Sequence, residues 1–119
     1  MNKVDLQEKF SLFSDQWTPK VVAELNGQHV KLARIEGELP WHFHENEDEL
    51  FMVIEGEMTL ELRDRKINLK NGELFVVPKG VEHKPIAKKE ALIMLFEPAS
   101  TSHTGNINCE QTVETCEWI

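Results

Sequence analysis

The sequence predicts an all-β domain, a sandwich or barrel of short strands entered through a short helical segment. Three observations carry this. Runs of five to seven β-rich residues recur from Lys20 to Glu97. Turn residues separate them about every eight to twelve residues. A helical period of apolar residues occurs only at the start of the chain, before Ser14.

Val4, Leu6, Phe10 and Phe13 recur loosely at helical spacing, which predicts a short helix over 4–13, broken by Ser14, Asp15, Thr18 and Pro19. KVVAEL (20–25) and HVKLARI (29–35) are strand runs around Asn26-Gly27, a hairpin dipeptide. ELFMVIE (49–55) is apolar at nearly every position, as a strand covered on both faces would be. Gly56 turns the chain into EMTLELR (57–63), where Met58, Leu60 and Leu62 alternate with Thr59, Glu61 and Arg63. Asp64-Arg65 leads to KINLK (66–70), and Asn71-Gly72 to ELFVV (73–77). Pro78-Lys79-Gly80 reads as a tight turn with Pro at its first central position. ALIMLFE (91–97) is the last strand, stopped by Pro98. The organisation is therefore an N-terminal segment (1–19), a β-domain (20–98) and a small, polar tail (99–119), ordered over the barrel or partly disordered.

The 119 residues fit one domain, and 40% apolar with 29% charged content suits a globular chain. Thirteen basic against twenty-one acidic side chains give a net charge of −8, which argues against nucleic acid or an anionic membrane as partner. No apolar stretch of signal-peptide length opens the sequence, and none approaches the roughly 20 residues of a membrane span, so a cytoplasmic protein is expected. Cys109 and Cys116, in the tail, are then expected to be reduced thiols.

His42 and His44 stand one residue apart, which in a strand puts both imidazoles on one face, about 7 Å apart along the backbone. Glu45, Asn46, Glu47 and Asp48 read as the turn that follows, with the acidic ones spare in solvent, and Glu49 opens the next strand. His83 follows another turn, and strand ends from two hairpins can meet inside a barrel. Neutral imidazoles and a carboxylate suit one divalent transition ion, Zn, Fe, Mn, Ni or Cu, with positions left open for water or substrate. Each residue taken singly also fits an ordinary polar turn.

The joint spacing goes further. Gly37 is followed after four residues by His42-Phe43-His44, after four more by Glu49, and after six by Gly56. Gly72 is followed after five by Pro78-Lys79-Gly80, and after two by His83. This resembles the two signature motifs of the cupin superfamily, with the first gap one residue short and Ala87 at the usual final Asn position. The resemblance implies a double-stranded β-helix, or jelly-roll, barrel. It also implies that His42, His44, Glu49 and His83 are ligands of one Zn, Fe, Mn or Ni ion. The ending EPASTSHTGN resembles that of small single-domain bacterial cupins often described as mannose-6-phosphate-isomerase-like.

If Glu49, Phe51 and Val53 point inward, Leu50, Met52 and Ile54 form an outward apolar row that needs cover, from the N-terminal segment or from a second copy in a homodimer. Trp41 and Phe43 face away from the two histidines. Arg34, Lys79 and Lys84 are the cationic candidates for holding an anionic substrate, though each also fits a surface charge. His103 is a candidate at the barrel mouth, but its polar surroundings favour a solvent-exposed side chain. A metal-dependent enzyme of isomerase or lyase type on a small polar or sugar-derived substrate is the leading expectation. An Fe(II) dioxygenase and a non-catalytic small-ligand module are the alternatives, and the sequence nominates no general base.

Overall fold

The computed structural model describes residues 2–119. Asp5 caps helix α1 (Leu6–Phe10) by accepting a hydrogen bond from the Glu8 N–H at 3.2 Å, which satisfies one of the free donors at the helix start. The helix ends earlier than 4–13. Ser11 and Leu12 close it as a turn, and the chain then bends to lay Phe13 against Phe10, ring centroids 5.9 Å apart. The apolar period continues through the bend because packing, not helix, positions Phe13.

The strands are β1 (Lys20–Leu25), β2 (Gln28–Glu38), β3 (Glu49–Glu55), β4 (Glu57–Leu62), β5 (Lys66–Lys70), β6 (Leu74–Val77), β7 (His83–Pro98) and β8 (Glu117–Trp118). They form an eight-stranded sheet in the order β5-β4-β7-β2-β1-β8, with β3 paired to both β6 and β7. This is a jelly-roll barrel. Asn26-Gly27 makes the first hairpin with φ of 50° and 77°, the double positive φ of a type I′ turn. Gly80, at φ 80°, is the third residue of a turn closed by Val81 N–H to Pro78 O. Pro78 therefore takes the first corner of a type II turn rather than its first central position.

The long strand β7 organises the barrel. Its first half pairs with β4 (Leu60 opposite Pro85), its second half with β3 (Met52 opposite Met94), and β2 runs beside nearly all of it. The sequence showed only 91–97 of this strand. Pro85 and the exposed run Lys88-Lys89-Glu90 mask its start. Pro85 is tolerated because its carbonyl still accepts from Leu39 N–H at 3.0 Å. Gly56 sits at φ 100° against this strand, and a Cβ there would lie 3.2 Å from Ala91 Cα.

Inward residues alternate along each strand: Ala33 and Ile35, Phe51 and Val53, Met58 and Leu60, Ala91, Ile93 and Leu95 fill the barrel. A second cluster, Phe10, Val22 and Leu32, lies on the outer face under α1, and Ile54, Leu92 and Met94 pack against it. The N-terminal segment thus covers part of the outward row. Leu50 and Met52 are half-buried, while Leu74 and Val76, opposite them on β6, are 52% and 44% exposed. No helix among the described residues is long and apolar enough to cross a membrane.

The tail is ordered over the barrel. Ala99 N–H donates to Gly27 O, and β8 lies parallel to β1, with Ile119 N–H donating to Val21 O at 3.1 Å. Cys109 and Cys116 are free thiols.

Candidate metal centre

His42 and His44 are not in a regular strand. His42 forms an isolated antiparallel bridge with His83: its N–H donates to His83 O at 3.1 Å, and His83 N–H donates to His42 O at 2.9 Å. The bridge is local β geometry, so the same-face argument for His42 and His44 holds over this short length. Gly80 N–H donates to His44 O at 2.7 Å, fastening the Pro78–Val81 turn beside the His-x-His segment. Asp48 is not spare: its Oδ1 accepts from Lys79 N–H at 2.8 Å and ties the same two loops. Glu47 accepts from the Ser100 hydroxyl at 3.1 Å.

These fastenings bring His42, His44, Glu49 and His83 together, all buried, with one nitrogen or oxygen from each within 4.8 Å of the others. The His42 and His83 ring centroids are 4.3 Å apart. The nearest Glu49 oxygen lies 3.1 Å from His44 Nε2 and 3.6 Å from His83 Nε2, without the alignment of hydrogen bonds. A transition ion with bonds of about 2.1 Å needs its donors roughly 3 to 4 Å apart, so small movements close this set on one.

The tautomers are fixed. His42 Nδ1 lies 2.8 Å from Pro40 O, and His83 Nδ1 lies 3.0 Å from Val81 O. A carbonyl only accepts, so both rings carry a proton on Nδ1, which leaves Nε2 as the atom each can offer to an ion. Neither Nε2 has a partner, and both nitrogens of His44 are also free. Buried lone pairs without donors are costly to hold together, and a cation is the guest that answers all of them at once. Burial, with His83 beside it, lowers the His42 pKa to about 4, so the ring is neutral at pH 7, as a ligand must be. Burial works to raise the Glu49 carboxyl, but the polar groups of Glu97, His44 and His83 around it outweigh burial and hold it well below the usual carboxylate range.

Two charged residues that the sequence left unassigned stand behind Glu49. Glu97 is fully buried beside it, and Lys31, 2% exposed, places Nζ 3.0 Å from Glu97 Oε1. Burial and the Glu49 charge push the Glu97 carboxyl well above its ordinary value, against the pull of Lys31. A Lys and a Glu within strands read as solvent-facing. Only the register, with Lys31 opposite Leu95 and His29 opposite Glu97, reveals them as inward diagonal neighbours.

The cationic candidates go elsewhere. Arg34 holds the N-terminal segment, donating to Phe10 O, Phe13 O and Glu90. Lys84 pairs with Glu38 at 2.6 Å, and Lys79 is exposed. None reaches the cluster, because each lies on an outward or loop position. Trp41 is half-buried under the Arg63 guanidinium, 3.8 Å from its ring centroid, which makes it a packing residue. His103 corrects the expectation of exposure: it is 7% exposed, since the tail folds over the barrel and carries it inward. Gly105 makes the approach possible, for a Cβ there would sit 2.3 Å from Phe43 O and 2.9 Å from His42 Cδ2. Asn106 then pins Phe43 twice, its N–H to Phe43 O at 3.0 Å and its Oδ1 accepting Phe43 N–H at 2.9 Å.

A profile of the Cupin domain matches residues 28–98. The uncharacterized protein YdbB of Bacillus subtilis is 36% identical over 81 residues, 67% of this chain and 66% of that protein. The 3-hydroxyanthranilate 3,4-dioxygenase 2 of Aspergillus fumigatus is 32% identical over 80 residues, 62% of this chain, and the chain spans 42% of that enzyme. A solved structure of a cupin-2 domain containing protein from Shewanella frigidimarina superposes with a TM-score of 0.79 at 49% identity, covering 80% of this chain and 93% of that one.

Proposed function

The chain belongs to the cupin domain family, and from that premise we propose that it is a metal-dependent enzyme, with one divalent transition ion held by His42, His44, Glu49 and His83, acting on a small polar substrate. The observation that carries this is the convergence of three imidazoles and one carboxylate, all buried, with unpartnered atoms within 4.8 Å of one another. Such a donor set suits Zn, Fe, Mn or Ni. When bound, the ion supplies Lewis acidity of the kind that polarises a carbonyl or stabilises an enediolate, which is isomerase or lyase chemistry. The chain's own contribution is to fix the tautomers through Pro40 O and Val81 O and to exclude bulk water with the tail.

A second reading, an iron-dependent dioxygenase, is favoured by the likeness to the Aspergillus enzyme. Metal-free protein reloaded separately with zinc, manganese, nickel and ferrous iron separates the two. Conversion within a panel of sugars, hydroxy acids and keto acids, without oxygen uptake, supports the first reading. Turnover with iron alone, accompanied by oxygen consumption, moves the protein to the second. A tightly held ion with no turnover makes it a binding module.

We also propose a homodimer, joined through the outer face of β3 and β6. Leu74 and Val76 leave an apolar strip there that the N-terminal segment does not reach.

A further inference from the structure

The barrel interior holds a small cavity, about 20 Å³, enough for one water-sized guest. Its walls are almost wholly apolar, Phe51, Ile93 and Leu95 among them. Trp17 also reaches it, but its indole N–H is already given to Glu36 O at 2.9 Å. Two side chains remain to meet a polar guest: Glu49 and His103.

The state of His103 is set by the tail. Its Nε2 lies 2.6 Å from Gln111 O, and since a carbonyl only accepts, the proton sits on Nε2. Nδ1 is left as a bare lone pair, buried and without a partner. A buried acceptor without a donor is costly to keep, so a guest that donates to it is favoured. The two polar side chains that line the cavity and remain unpartnered thus carry acceptors, Glu49 Oε1 and His103 Nδ1, and no free donor. Its guest must bring the hydrogens. An ammonium would place a second positive charge beside the proposed ion, which leaves a hydroxyl.

We propose that His103, carried by the C-terminal tail, is the hydrogen-bond acceptor that selects a hydroxylated ligand in the cavity beside Glu49. Water fills this place until a small α-hydroxy acid or enediol-forming compound brings its own hydroxyl there. The inference rests on the metal reading for the ligand's other end, a carboxylate or carbonyl on the ion. The tail then becomes part of the substrate site: Asn106 and Gly105 hold the segment down, Gln111 sets the tautomer, and His103 reads the ligand.

The test compares glycolate with acetate, which differ by the one hydroxyl. Each is titrated calorimetrically into zinc-loaded wild type, His103→Leu and His103→Gln. The ratio of glycolate to acetate affinity is expected to fall about fivefold in His103→Leu, the worth of one hydrogen bond, and to be partly kept in His103→Gln, which retains an acceptor. An unchanged ratio, or no binding of either anion to zinc-loaded wild type, overturns the inference. So does loss of zinc from His103→Leu, which would make His103 a ligand. Ring nitrogen NMR of metal-free wild type is the independent check. A proton on Nε2 and a bare Nδ1 are expected, and a proton on Nδ1 overturns the inference whatever the leucine variant does. Zinc refused by wild type defeats the metal reading alone, and the ring measurement still decides His103.

Discussion

His42 and His83, from opposite sides of the barrel motif, exchange two backbone hydrogen bonds at 3.1 and 2.9 Å, and this bridge sets their rings 4.3 Å apart. The cluster is therefore built by the backbone first. Its side chains pay in unmet lone pairs for being held together.

That arrangement makes metal-free protein sensitive to acid. His42 has a pKa of about 4 in the folded chain against 6.5 when unperturbed, so the unfolded chain binds more protons between these values. Its stabilising effect is fully present above about pH 6.5 and is lost as pH falls toward 4, by up to roughly 3 kcal/mol. Glu49, held low, acts in the same direction at lower pH. Urea midpoints of metal-free protein at pH 7.5 and 4.5 should show the loss, and the slope over this window should flatten in His42→Leu.

Gly105→Ala should dislodge the tail. The new Cβ meets Phe43 O and His42 Cδ2, and φ is 60°, so space and backbone both oppose it. The expected cost is about 2–3 kcal/mol, with faster proteolysis near the tail and weaker metal retention. Gly72→Ala is the control: φ is 80° but nothing lies within 4 Å, so about 1 kcal/mol is expected and metal content should hold.

Breaking the buried pair behind Glu49 should be worse than removing it. Lys31→Met leaves the buried Glu97 carboxyl without its partner and is expected to cost about 1–3 kcal/mol, while Lys31→Met with Glu97→Leu should recover most of that. Thermal unfolding of the two single variants and the double decides it. Additive losses would mean that the pair contributes nothing as a pair.

A charge in the apolar strip of β6 should separate the proposed dimer. Val76→Glu is exposed in the single barrel, so the fold should survive, while light scattering at micromolar concentration should show the mass fall to one chain. A monomeric wild type contradicts the dimer directly.

The strands were legible because each buried residue has a two-residue period and the hairpins carry their own turn chemistry, as at Asn26-Gly27. The four candidate ligands were legible because two loops place them at fixed offsets from glycines and a proline. The first half of β7 was hidden by Pro85 and Lys88-Lys89-Glu90, whose backbone pairing depends on neighbours far along the chain. Lys31 and Glu97 were hidden because inward and outward charges look alike until register is known. The burial of His103, a candidate expected to be exposed, was hidden because the tail has no period. Its position depends on Asn106, Gly105 and Gln111 acting together, and only the glycine before Asn106 hinted at a close approach.

The most direct measurement is the metal content of wild type and His83→Ala, each stripped with chelator and reloaded, read by elemental analysis with X-ray absorption at the metal edge. One ion per chain, coordinated by imidazole nitrogens with a carboxylate oxygen in wild type and lost or strongly weakened in His83→Ala, is the predicted result. Wild type that retains no ion, or a variant that keeps it with unchanged coordination, would contradict the assignment of His42, His44, Glu49 and His83 as one metal centre.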